Sequence, residues 1–158
     1  MKELYDGTQV PLDTPTKLIS GKRYLLTQDE ITEKEEREAI SLTRRLIEKP
    51  KQLRRSVSGN NITINGMEFK PDQDTLMAVV GLVRLLEEIN DPDKIISFEA
   101  ENGFFDLNLQ QIKDVGVVLG GLQQKAFDTQ KTLQAEVADG TLTTSDAVEI
   151  RFAELMEA

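Results

Sequence analysis

Carboxylate pairs at i, i+2 spacing recur in the chain: Asp72 with Asp74, Asp91 with Asp93, and Glu99 with Glu101. Two carboxylates converging in one cleft are the minimal equipment for acid–base hydrolysis. Little else in the sequence could assist them. The chain has no histidine and no cysteine. That removes the commonest general base, the commonest transition-metal ligand, thiolate nucleophiles and zinc–thiolate sites. Each pair also has a plainer use. Asp72 and Asp74 stand where a helix N-terminus favours acids, Asp91 and Asp93 flank Pro92 in an expected loop, and Glu99 and Glu101 alternate onto the solvent side of an expected strand. The spacing also fails the calcium-loop pattern, which needs a run of oxygen ligands, a central glycine and a terminal glutamate. "GVVLGG", from Gly116 to Gly121, falls inside an expected helix with no strand before it, so it matches neither phosphate-binding loop. No catalytic, metal-binding or cofactor-binding residue is assigned, and a non-enzymatic protein is expected.

The elements that would position these groups follow from local pattern. Of 158 residues, 39% are hydrophobic and 30% charged, with two tyrosines and no tryptophan, which suggests a small domain carrying an extended arm. Residues 1–27 read as short strands broken by turns, with "TKLIS" and "RYLLT" able to pair as a hairpin. Thr27 and Glu30 make a capping box for a helix over Gln28–Lys49, acidic in its first half and basic in its second, with Pro50 expected to stop it. Its apolar positions, Ile31, Ala39, Ile40, Leu42, Leu46 and Ile47, form a narrow stripe suited to docking on a partner. A basic linker follows, so the expected division is an arm over 1–55 and a domain over 56–158.

The domain reads as a repeat. Asn65-Gly66 should turn a hairpin pairing Ile64 with Met67 and Ile62 with Phe69. Asn102-Gly103 should do the same, setting Ala100 against Phe105, Phe98 against Leu107 and Ile96 against Leu109. A helix follows each hairpin. The first, opened by Asp72 or Asp74, is apolar around most of its circumference (Leu76, Met77, Val79, Val80, Leu82, Val83, Leu85, Leu86) and should be the central buried one. The second, capped by Asn108 with Gln111, carries a seam at Ile112, Val115, Leu119, Leu122, Ala126 and Leu133, interrupted by Thr129. Gly116 and Gly120 lie on one face, and a mid-helix glycine usually admits another backbone. A final helix from Thr144 should fold back, with Val148, Phe152 and Leu155 inward. The expected fold class is α+β: two β-hairpin–helix units packed together, with an N-terminal helical arm and a C-terminal antiparallel helix pair.

Charge and hydropathy bound the partners. The net charge of -9 opposes phosphate backbones. The basic cluster Arg44, Arg45, Lys49, Lys51, Arg54 and Arg55 lacks interleaved aromatics for base stacking, so nucleic acid is not an expected partner. No apolar run approaches the ~20 residues of a membrane helix, and "MKELYDGTQVP" has no apolar signal core. No membrane partner is expected, and an intracellular product is the default.

"FFDLNLQQIKDVGVVLGGLQQKAFDTQKTLQAEV", followed by a short acidic helix, resembles the C-terminal part of a family of small tailed-bacteriophage proteins that has no assigned biochemical function. The stretch Ser97 to Asn108 matches that family's hairpin, and Lys131, Leu133 and Val137 match its helix tail. "RYLLTQDEITEKEEREA" is similar to a helix start in phage tail-fibre assembly and tail-associated proteins. The resemblance implies a phage-encoded, tail-associated protein that contacts tail or fibre proteins, placed in the virion tail or in the host cytoplasm during assembly. It implies no catalytic residue. A transient fibre-assembly chaperone and an acidic protein binding a host factor remain the alternatives. Ile31, Leu42, Leu46, Gly116 and Gly120 are the candidate partner-binding residues, with pairing to a second copy of the chain left open.

Overall fold

The computed structural model describes residues 1–91 and 93–158; Pro92, expected in a loop, lies outside the described residues. The fold is α+β, with four helices and four separate antiparallel two-stranded sheets among the described residues. Two compact units divide at Arg45–Leu46, each treated separately below.

In Met1–Arg45, β1 (Lys2–Glu3) pairs with β2 (Gln9–Val10), and β3 (Thr16–Ile19) pairs with β4 (Lys22–Leu25). The second hairpin is the expected one, and Ser20 and Gly21, both at positive φ, form its turn. The rings of Tyr5 and Tyr24 stack with centroids 4.6 Å apart. Helix α1 (Gln28–Val57) opens with the expected capping box: Glu30 N–H donates to Thr27 Oγ1 at 3.3 Å, and Thr27 N–H donates to Glu30 Oε2 at 2.9 Å.

Pro50 does not stop α1, and the expected linker up to residue 55 is helical. A proline inside a helix leaves the carbonyl one turn back without its N–H partner, at a cost of about 3 kcal/mol. Here tertiary packing offsets that cost. The Pro50 ring is buried, and Leu46, Leu53 and Val57 join a cluster with Leu133, Val137, Leu142, Val148 and Phe152. Beside the proline, Gln134 Nε2 donates to the Ile47 carbonyl at 3.4 Å. The stop rule is local and fails because the packing is not.

In Leu46–Ala158, β5 (Ile62–Ile64) and β6 (Met67–Phe69) pair in the expected register, with Asn65 at φ 52 and Gly66 at φ 80. The second hairpin, β7 (Ile96–Ala100) with β8 (Gly103–Leu107), departs from expectation by two residues. Ala100 pairs with Gly103, Phe98 with Phe105 and Ile96 with Leu107, so Glu101 and Asn102 make the turn. The reason is a second use for Asn102. Its Nδ2 donates to the Gly66 carbonyl at 3.0 Å and its Oδ1 accepts from Glu68 N–H at 2.9 Å, while Glu101 N–H donates to the Glu68 carbonyl at 2.9 Å. The repeat is therefore also a joint, in which one hairpin's turn grips the other's strand.

Gly103 sits at φ 137, where a β-branched residue is strained. Gly103→Val should cost about 1–3 kcal/mol. Thermal melting of the two proteins checks this, and an unchanged midpoint would show that the turn relaxes at no cost.

Helix α2 (Gln73–Ile89) follows the first hairpin and α3 (Leu109–Ala138) the second. They run antiparallel, with Lys113 on Glu87 at 2.7 Å near one end and Gln123 Nε2 donating to the Pro71 carbonyl at 3.3 Å near the other. Inward residues of both hairpins and both helices form one core around Phe69, Val79, Leu86, Ile112, Val115 and Leu119. The capping box of Asn108 with Gln111 is present as expected. Thr129, which interrupts the seam, is buried and donates its hydroxyl to Met156 Sδ at 3.6 Å. After α3, Gly140 at φ 82 turns the chain, and Leu142 N–H donates to the Glu136 carbonyl at 3.0 Å. Helix α4 (Ser145–Glu157), capped by Thr144, then packs back with Val148 and Phe152 buried.

One expectation is overturned in kind. Helix α2 is covered on one side only: Val79 and Leu86 are buried, whereas Met77 is 59% exposed, Val80 43%, Leu85 49% and Ile89 44%. Periodicity reports that a face is apolar, and says nothing of whether this chain covers it.

Candidate interaction surfaces

The structure gathers some of the carboxylates. Asp74, Glu99 and Glu101, with Glu68 and Lys70, line an open cleft of about 240 Å³ between the two hairpins and α2, over Phe69, Phe98 and Ala78. The four acids stand in solvent and take part in no ion pair among the described residues. Asp91 is elsewhere: its Oδ1 accepts from Asp93 N–H at 3.1 Å within its own turn. Among the described residues no group of three or more acids, histidines or cysteines is placed to hold a metal ion.

Asp72 is the N-cap of α2. Its Oδ1 accepts from Thr75 N–H at 2.9 Å, and Lys70 Nζ lies 3.5 Å from Oδ2. That backbone donor is the main cause holding the carboxyl below its ordinary 3.8, and Lys70 adds to it. Asp72→Ala should cost about 1 kcal/mol near neutral pH. A depressed carboxylate stabilises the fold above its unfolded pKa and loses that contribution as pH falls through the folded one. Denaturant titrations of the two proteins should therefore begin to converge as pH falls below 3.8 and meet once it has passed the lower, folded pKa; a gap that persists at the acid limit would assign the loss to something other than the charged cap.

The residues expected to face a partner divide into used and unused. Leu46 is buried in the core with Leu133 and Phe152, so it serves the fold. Gly116 is also spent internally: a Cβ there would lie 3.2 Å from Val79 Cγ1, so its absence sets the close approach of α2 and α3. Ile31 is half-buried. Leu42 and Ile40 are exposed, and every residue of α1 from Thr32 to Arg45 is exposed with them. Gly120 has open space around its position. Gly120→Ala should thus gain about 0.5–1 kcal/mol in helix stability, read as a raised unfolding midpoint; a loss would mean that the position is packed.

The basic cluster is partly consumed. Lys49 pairs with Glu149 and Lys51 with Glu48. Arg54 donates to Gln130 Oε1 at 2.7 Å and lies over the Phe127 ring at 4.2 Å. Arg44, Arg45 and Arg55 stay exposed. Sequence reasoning missed two apolar positions, Phe104 on the otherwise polar side of its hairpin and Val117 on α3, both more than two-thirds exposed. Phe104 carries a readable signal, since it shares the alternation of Glu99 and Asp106.

No helix among the described residues is long and apolar enough to cross a membrane. A scan against protein-family models, a search of curated proteins and a search of solved structures each return no match.

Proposed function

We propose that this chain is a non-enzymatic bacteriophage tail-associated protein, with a structural or assembly role at the tail, fibre or baseplate exercised through protein–protein contacts. Its place is the virion tail, or the host cytoplasm during assembly. The observation that carries the reading is the run Thr32–Arg45 of α1, exposed at every residue and bearing Ile40 and Leu42. A helix segment with no packing of its own in its unit is stabilised by a partner that accepts its apolar side chains. The same unit exposes Leu12, Leu18 and Leu25. The carboxylates offer no competing enzymatic account, because Asp72 caps a helix and the acids of the cleft stand in solvent.

Quantitative mass spectrometry of purified virions tests the reading. A fixed stoichiometry at a multiple of the tail's symmetry supports a structural component. Absence from virions but presence in infected-cell lysate would sink that role and leave the transient chaperone. Capture of a host protein by the isolated chain, with neither of the other results, would displace both.

A further inference from the structure

The most apolar helix of the chain is α2, and half of it has no cover in its own unit. Met77, Gly81, Leu85 and Glu88 follow the spacing of a single helix face, with Val80 and Arg84 beside them and all of them exposed. Gly81 stands in open space, so no contact within the chain accounts for a glycine in mid-helix. Arg84 and Glu88 lie one turn apart on this face, with opposite charge. Neither enters an ion pair among the described residues. Arginine preceding glutamate is also the weaker order for pairing within a helix.

We infer that this face of α2 is the contact between two copies of the chain, with the two α2 helices antiparallel about a two-fold axis level with the Arg84–Glu88 turn. Such an interface is self-complementary, each residue meeting its reciprocal. The axis sets Arg84 against the partner's Glu88 and Glu88 against the partner's Arg84, so both unpaired charges are matched. Leu85 lies beside the axis near its own counterpart, and Gly81, with open space around it, leaves room on the same face for the partner's helix. The charge pattern selects the occupant. Opposite charges one turn apart match themselves under antiparallel two-fold pairing, whereas a foreign partner would need a complementary pattern of its own. The inference goes beyond the phage assignment and does not rest on it.

Sedimentation equilibrium on the full chain, from micromolar to millimolar concentration, tests it. The wild type should reach a dimer. Arg84→Glu and Glu88→Arg should each weaken association about tenfold or more by setting like charges opposite one another. The double variant R84E/E88R should return to within a few-fold of wild type, because the pairs re-form with signs exchanged. Leu85→Glu should leave monomer throughout. All these positions face outward, so circular dichroism and melting should remain those of the wild type at low concentration. A wild type monomeric at every concentration would overturn the proposal. So would single variants that associate as the wild type does, or a double variant no better than the singles.

Discussion

Leu133→Ala is expected to lower the unfolding free energy by about 3 kcal/mol, within the range of leucine truncations in well-packed cores. Leu133 has no exposed surface and belongs to a buried cluster with contributions from three helices: Leu46 of α1, Val137 of α3, and Val148 and Phe152 of α4. Truncation there removes buried methyl groups and leaves a cavity that helix backbones on several sides cannot close. A domain of this size has only about 5–15 kcal/mol to lose. Because Leu46 and the buried Pro50 are held in the same unit, the helical turns around the proline should loosen first. Urea denaturation gives the magnitude, and amide hydrogen exchange gives the location as faster exchange over residues 46–57. A loss below 1 kcal/mol would mean that the cluster is not cooperative.

Phe69→Ala should cost about 3–5 kcal/mol. Phe69 is 1% exposed and lies at the meeting of β6 with the second hairpin, its ring centroid 5.8 Å from that of Phe98. It shares one core with inward residues of both hairpins and of α2 and α3. Phe69→Leu keeps most of the volume and should cost under about 1.5 kcal/mol. The ordering Ala far below Leu, measured by thermal unfolding, is the signature of lost packing. Equal costs would instead point to a requirement for the ring itself.

Local rules carried most of the fold. Thr27 with Glu30, Asn108 with Gln111, Asp72 and Thr144 cap helices where their spacing says they should, because a cap is satisfied within four residues. Asn65-Gly66 sets its hairpin register for the same reason. Three features were not legible. Pro50 stays inside α1 because Gln134 and the buried cluster, distant in sequence, support it. The second hairpin shifts because Asn102 serves Gly66 and Glu68 rather than a turn of its own kind. The exposed half of α2 reads as core in any periodicity count, since periodicity reports only that a face is apolar and not whether this chain covers it. The candidate surface residues divide on the same line: Leu46 and Gly116, expected to face a partner, make contacts within the fold instead.

The grip of Asn102 on Glu68 has a consequence for solubility. In the first hairpin the outward N–H and carbonyl of Glu68 are the groups an incoming strand would seize, and Asn102 and Glu101 already occupy both. Free backbone at a sheet margin is what seeds stacking of one molecule on the next. A hairpin of alternating isoleucine, methionine and phenylalanine would be a ready template were that margin open. The turn of the neighbouring hairpin thus works as a stopper, keeping a short apolar ribbon from growing beyond its own chain.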